Sequence, residues 1–394
     1  MIPLRTYIEK DTDGNMTSIT SRSALTKVHA VILIVVAICA VGVAAYSYTA
    51  LTAPTATTTA TSTTTPMTQL IVSTTTSLYE TGLLDALQKD FETKNPSMNV
   101  SFIAQGTGLA IQTAMRGDAD MILVHAPSSE YVFLNGSYGV NRKIFAYNFF
   151  TIVGPASDPA HIHGLGAKEA LQAIMAAGRN GTALWVSRGD NSGTYTKEVS
   201  LWKSINVTVS QLRSQSWYIE AGSGMTATLQ LANEKQAYTL SDVGTYLVNY
   251  NNHNINLVRL VVESKSLLNV YSAIADNPLN ANMTKTNFAG AMQFIRYLVS
   301  NSTQQLIANY GVSQYGQPLF YPYVPLATSQ SNQTLLGWIH AYAFFQGSEC
   351  PPQFRYQASD LYSASDTIQP MIFMAVLTWI LERKLSLWIQ SFKA

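Results

Sequence analysis

A two-lobed α/β fold behind an N-terminal transmembrane helix is the architecture this sequence predicts, and three observations predict it. Short β-branched runs alternate with amphipathic stretches from about residue 69 onward. The alternation breaks off and restarts at "FFTIVG", Phe149 to Gly154, so two α/β units follow one another. Ahead of both lies an apolar run long enough to span a bilayer.

That run, "VHAVILIVVAICAVGVAAYSY" from Val28 to Tyr48, carries no carboxylate, lysine or arginine. About 20 such residues cross the hydrocarbon core as a helix. Arg22 and Lys27 precede it, and the next charged residue is Glu80. The positive-inside rule then places residues 1–27 in the cytoplasm and the remainder outside. The rival reading is a cleaved signal peptide; the long leader and the long core argue for an anchor instead. Residues 49–68, which include "TAPTATTTATSTTTPMT", are too poor in apolar side chains to build a core and read as an extended stalk.

In the body, "LIVST" reads as a strand, and Leu83, Leu84, Leu87 and Phe91 share one face of a helix that stops at Asn95-Pro96. "VSFIA" (Val100 to Ala104) is a second strand, "GTGLAIQTAMRG" opens a helix directly after glycine, and "MILVHA" (Met121 to Ala126) is a buried strand bounded by Pro127. This βαβαβ order predicts a mostly parallel sheet with helices on both faces. After the restart, a helix covers about 168–177, and "ALWVS", "WYIEA", "AYTLSD" and "INLVRLVV" read as strands. "MTATLQLANEK", "FAGAMQFIRYLVS" and "STQQLIANYG" read as helices. The expected lobes are 69–148 with 262–321, and 149–261. Residues 322–394 form a C-terminal extension with a short apolar helix over 368–381, too short for a second crossing.

Composition narrows the function. Only 12% of residues are charged and the net charge is +1, which leaves no basic footprint for nucleic acid. Cys39 lies in the apolar run and Cys350 far from it, so no disulfide is expected, and no metal-ligand spacing or cofactor motif is present. Ser192 lies outside any G-x-S-x-G, and the six histidines lack the spacing of a triad or a metal site. Binding, not catalysis, is the expectation. Seven N-x-[ST] sequons beyond the anchor, at Asn99, Asn135, Asn180, Asn206, Asn282, Asn301 and Asn332, suit an exported, glycosylated surface, although chance in an Asn-, Ser- and Thr-rich chain produces such triplets too.

Three segments share one design, in which a strand ends, a loop of Gly, Ser and Thr follows, and a helix begins. They are "STTTSLYETG", "AQGTGLA" and "SRGDNSGTYTKE". The first turn of a helix leaves N–H groups free and is partly positive, so three such ends around one cleft make an anion site. No G-x-G-x-x-G or G-x-x-x-x-G-K-[ST] is present, so a nucleotide is not indicated. Arg188 with a crowd of hydroxyls suits a compact tetrahedral oxyanion. The alternatives are structural: Thr74 to Ser77, Ser192 and Thr194 as helix caps, and Arg188 paired with Asp190.

The stretches "TTTSLYETGLLDAL", "GDADMILVHAP", "YGVNRKIFAYNFFTIVGPASDPA", "VSRGDNSGTYTKEVSLW", "WYIEAGSGMTATLQLANEKQAYTLSDVGTYL" and "GQPLFYP" carry a family resemblance. From about Gln69 to Tyr321 the chain resembles the substrate-binding proteins of tungstate ABC importers, within the wider phosphate/molybdate-type periplasmic binding superfamily. The resemblance implies a type II-like two-lobed fold that closes over one oxyanion and delivers it to a permease and an ATPase. By motif, the ligand contacts would fall among Thr74, Thr75, Thr76, Ser77, Thr107, Arg188, Ser192, Gly193 and Thr194. Molybdate or phosphate is the alternative ligand, with Asp190 or Asp242 able to accept a phosphate proton; a sensor or surface-assembly ectodomain that keeps the fold is the alternative role. Three positions depart from the family pattern: Val243 stands where Arg is usual, Tyr195 where His is usual, and Phe149 where an acid is usual. An anchor and a Thr stalk, with no lipid-modified cysteine, look like an archaeal version.

Overall fold

One strand of 16 residues, β6 (Gly139–Gly154), organises the sheet. The computed structural model describes residues 7–10, 16–19, 67–283 and 285–362. The chain divides into two units, Met1–Thr64 and Thr65–Ala394. In the first, β1 (Tyr7–Lys10) pairs antiparallel with β2 (Met16–Ile19). The expected anchor at 28–48, most of the stalk, Cys39 and the apolar helix at 368–381 lie outside the described residues. Among the described residues, no helix is long and apolar enough to cross a membrane.

In the second unit, β3 (Thr68–Thr75) lies parallel to β4 (Met98–Gln105) on one side and to β5 (Met121–Val124) on the other. The helices Leu83–Lys94 and Thr107–Met115 make the crossovers. Leu83, Leu84, Leu87 and Phe91 are all buried, as their helical spacing predicts. From β5 the sheet continues antiparallel through β11 (Leu268–Asp276) to β6. The first part of β6 pairs with β11, and its last residues pair with β9 (Thr239–Asp242) and β10 (Val258–Arg259). A parallel pair, β7 (Trp185–Ser187) with β8 (Tyr218–Glu220), completes the second lobe. The cores are separate. Leu70, Val72, Phe91, Phe294 and Ile295 pack in one lobe; Ile152, Leu171, Ile174, Trp185 and Trp202 pack in the other. Each such side chain contributes roughly 1.5–3 kcal/mol on burial.

The sheet is not mostly parallel. Among the described strands, β3 pairs parallel with β4 and β5, as the βαβαβ order predicts, and β7 pairs parallel with β8 and bridges to Tyr238, while every pairing of β6 and β11 is antiparallel. The reason is topological: β6 carries the chain toward the second lobe, and β11 carries it back alongside. β6 also begins ten residues before the "FFTIVG" that announces it in sequence. Arg142 and Lys143 disguise it as polar, but inside the fold their charges are matched, Arg142 Nε to Glu130 at 2.7 Å and Lys143 Nζ to Glu349 at 2.7 Å. "INLVRLVV" shrinks to the two-residue β10.

Residues 322–362 are built into the body. The short strand β12 (Tyr321–Pro322) pairs with β6, and the helices Tyr323–Ser329 and Gln333–Ala343 follow. Tyr323, Leu326, Leu336 and Ile339 cluster with Leu268, Val270, Phe149 and Val243. Phe149 and Val243 thus share one apolar cluster with the C-terminal helices. Cys350, Leu361 and Tyr362 join the core of the first lobe.

Candidate functional site

The three glycine- and hydroxyl-rich turns come together where the lobes face each other. Arg188, 2% exposed, follows β7 and reaches across to Thr76, its Nη2 donating to Oγ1 at 2.7 Å. Its Nε donates to Asp190 at 3.0 Å. Gly108 N donates to Asn191 O at 2.8 Å, which brings the start of the helix Thr107–Met115 against the turn that opens the helix Gly193–Lys203. Added Cβ atoms at Gly106 and Gly108 would lie 3.3 Å and 3.1 Å from Asn191 atoms, so glycine permits this approach.

Three buried donor atoms at these turns have no partner among the described residues: Thr107 Oγ1, Arg188 Nη1 and Thr194 Oγ1. An unsatisfied buried donor costs about 1–3 kcal/mol, so three at one junction are expensive for the fold alone. Other unpartnered buried atoms, such as Trp217 Nε1 and Thr239 Oγ1, belong to neither the turns nor the loop 188–194. The three donors fit a small anion whose oxygens accept only.

The remaining predicted residues divide by what they already hold. Thr74 donates to Leu123 O at 3.0 Å and is committed to the sheet. Thr75 caps the helix Thr76–Glu80. Ser192 caps the helix Gly193–Lys203 by accepting from Tyr195 N at 3.1 Å, which leaves its hydroxyl proton free to serve a ligand. Ser77 Oγ lies 3.3 Å from His125 Nε2. Gly193 has no side chain to offer, and a Cβ there would stand 2.7 Å from the His125 ring. Its role is to admit the imidazole beside the helix start.

From sequence, His125 at a strand end before Ala-Pro reads as structurally satisfied and not catalytic, and Asn269 carries no signal at all. His125 is stacked on Tyr271 with ring centres 5.0 Å apart, and its Nδ1 lies 2.8 Å from Asn269 Oδ1. The Asn269 amide nitrogen donates to Asn148 Oδ1 and Tyr271 Oη, so its oxygen accepts from Nδ1–H. Nε2 is then left to accept the Ser77 hydroxyl proton. Burial, with the charges of Arg188 and Lys197 assisting, pulls His125 down to about 4, so the imidazole is neutral. In sequence, His125 is one histidine at a strand end, and nothing local links it to Gly193 or Asn269.

Second contacts hold the frame. Glu198 accepts from Trp185 Nε1, Ser187 Oγ and Tyr218 Oη, tying the end of β7, and hence Arg188, to the helix behind it. Burial pushes its carboxyl up to about 7. Asp242 accepts from Thr245 N and Oγ1, and burial raises it. Across the lobes, Glu80 accepts from Thr226 Oγ1 at 2.8 Å and Thr226 N at 3.3 Å. It caps the helix Met225–Lys235, whose own N-cap residue, Gly224, has no side chain to do so. Thr245 Oγ1 also reaches Ser77 O at 3.3 Å.

Comparison with known proteins matches residues 52–302 to the model of the PBP superfamily domain. A putative ABC transporter anion-binding protein of Haloferax volcanii is 43% identical over 64% of this chain and 72% of its own length. The tungstate-binding protein TupA of Peptoclostridium acidaminophilum is 37% identical over 64% of this chain and 85% of its own. Among solved structures, the tungstate-binding protein TupA from Desulfovibrio alaskensis is 39% identical, with TM-score 0.54 over 64% of this chain and 98% of that one.

Proposed function

This chain belongs to the PBP superfamily, and on that premise we propose that it captures tungstate between its lobes and delivers it to an ABC importer. The observation that carries the reading is the set of three buried, unpartnered donors, Thr107 Oγ1, Arg188 Nη1 and Thr194 Oγ1. In this reading Thr76, Ser192 and the free backbone N–H groups of the turns complete the shell. The lobes divide near 148/149 and 261/262, where β6 enters the second lobe and the chain returns toward β11. An anion that touches both lobes adds its contacts only to the closed form, so binding shifts the hinge equilibrium. The relatives that carry tungstate or anion binding in their names support the choice of ligand.

The set of unpartnered donors favours a fully deprotonated dianion over hydrogen phosphate, since the nearby carboxylates already accept two hydrogen bonds each and keep only part of their acceptor capacity. Hydrogen phosphate needs an acceptor for its proton. Asp190 receives Arg188 Nε and Ser192 N, and Asp242 receives Thr245 twice. Tungstate and its near-isostere molybdate ask only for donors. An N-terminal anchor at 28–48 would tether the body outside the membrane, beside a permease and ATPase. Six of the seven sequon asparagines are exposed, Asn99 being half-buried, which suits glycan attachment on that outer surface.

Calorimetry on the full chain with tungstate, molybdate, phosphate and sulfate tests the reading. Tungstate and molybdate are expected to bind tightly and phosphate weakly. Arg188→Ala removes one charged donor, worth about 1.5–3 kcal/mol, and is expected to weaken tungstate at least tenfold. Silence toward all four anions would overturn the reading and favour a sensor or surface-assembly role.

A further inference from the structure

One face of the helix Gly193–Lys203 borders a cavity that the tungstate reading leaves unused. Gly193, Thr196, Lys197 and Ser200, spaced three and four residues apart on one side of the helix, line a cavity of about 210 Å³. His125 to Ser128 and Tyr342 of the C-terminal helix close its other walls. Through Lys197, Ser200 and Tyr342 it continues into a groove of about 550 Å³, lined also by Lys168, Lys265, Ser204, Ser264 and Ser266. Three lysines and several hydroxyls face this space, and among the described residues no carboxylate lines either part.

Lys197 is the unusual member. It is 6% exposed, and its Nζ donates to Ser266 O at 3.3 Å and sits 3.9 Å from the centre of the Tyr342 ring. Among the described residues, no acid pairs with it. A buried ammonium without a counter-ion is costly, and burial alone pulls Lys197 down to about 7. Its carbonyl and ring partners take part of the charge, and the protonated amine keeps donor capacity beyond the bond to Ser266. A single water needs only about 10–15 Å³ of such volume, so the cavity holds a four-oxygen anion with room for water. It is below the roughly 300–1,000 Å³ of drug-sized ligand sites.

We propose that this cavity and groove form a second anion site, distinct from the Thr107–Arg188–Thr194 turns, which takes a small phosphate or carboxylate anion on Lys197. Lys168 and Lys265, both exposed, attract the anion at the mouth, and Thr196, Ser200 and Ser266 supply hydroxyls around it. Gly193 and His125 form a wall common to both sites, but the anion-holding groups of this one, Lys197, Thr196, Ser200, Lys168 and Lys265, are ones the tungstate reading does not use, so the two can fail separately.

The test is calorimetry on the full chain loaded with one equivalent of tungstate, titrated with inorganic phosphate in one arm and malonate in the other. A second one-to-one event is expected in at least one arm, and the arm that responds identifies the headgroup. Lys197→Met is expected to weaken it at least tenfold. The double variant Lys168→Ala/Lys265→Ala, on exposed positions that leave folding and tungstate binding intact, is expected to weaken it at least threefold. The event should persist in Arg188→Ala without tungstate, which separates it from the first site. Titrations near pH 8 in two buffers of different ionisation enthalpy should show proton uptake that is lost in Lys197→Met. No second event in either arm, or one unchanged in the double variant, would overturn the proposal, whether or not Lys197→Met folds.

Discussion

At the scale of single residues, Gly193 and Glu198 set the geometry of the site without offering a side-chain donor to the anion. A methyl at position 193 would stand 2.7 Å from the His125 ring, which is itself held by Ser77, Asn269 and Tyr271. Gly193→Ala must therefore move the helix start or the imidazole, at about 1–3 kcal/mol. The expected outcome is a lower melting temperature and weaker tungstate binding together; unchanged affinity would show that the helix start does not face the anion. Glu198 yields a pH prediction. Its folded value, about 7, lies above the ordinary 4.5. Its stabilising contribution is complete below pH 4.5 and is lost as pH rises through 7. Glu198→Gln keeps the hydrogen-bond positions and removes the titration. The melting-temperature difference between wild type and variant should therefore shift toward the variant between pH 5 and pH 8, and a flat difference would count against the buried carboxyl.

Elements act on one another through their ends. The helix Met225–Lys235 starts at Gly224, which has no side chain to cap it, and Glu80 from the opposite lobe supplies the acceptor. On the proposed closure mechanism, hinge opening would break this contact, so it would favour the closed form specifically. Glu80→Ala removes a charge-assisted bond worth about 1.5–3 kcal/mol, partly replaced by water. A three- to tenfold weaker tungstate affinity is expected by calorimetry, with little change in melting temperature of the anion-free chain. Equal affinity in the variant would mean that the contact forms without bearing on closure. At this scale the sequence was legible wherever the period was local, as in the buried faces of Leu83–Lys94 and Met225–Lys235. It was illegible in β11, fully buried but lacking any alternation to mark it.

The whole molecule depends on its C-terminal segment. Glu349 binds Lys143 and Ile144 N, the Glu349 carbonyl accepts from Arg142, and Tyr356 exchanges hydrogen bonds with Asn141. The helix Gln333–Ala343 covers Val243, Phe149, Leu268 and Val270. A chain ended after Pro322 would expose that cluster and strip acceptors from the buried start of β6. Several kcal/mol would be lost, since a broken buried ion pair alone is worth about 3–5. Such a truncation is expected to be insoluble or to melt more than 10 °C lower; a melting curve matching the full chain would show the segment to be dispensable.

By itself, the sequence determined the local terms. The periods of the helices, the turns that open directly into helix N-termini, and the pairing of one arginine with many hydroxyls and few charges all depend on neighbours within a few residues. Tertiary structure alone decided which hydroxyls remain available. Thr74 and Thr75 are committed inside the fold, whereas Thr107 and Thr194 are buried without partners. It also decided that His125 meets Gly193 and that Lys197 is buried against Tyr342 without a carboxylate. Those outcomes turn on distant segments meeting and on which buried groups find partners, and neither distance nor desolvation is written in the spacing of residues along the chain.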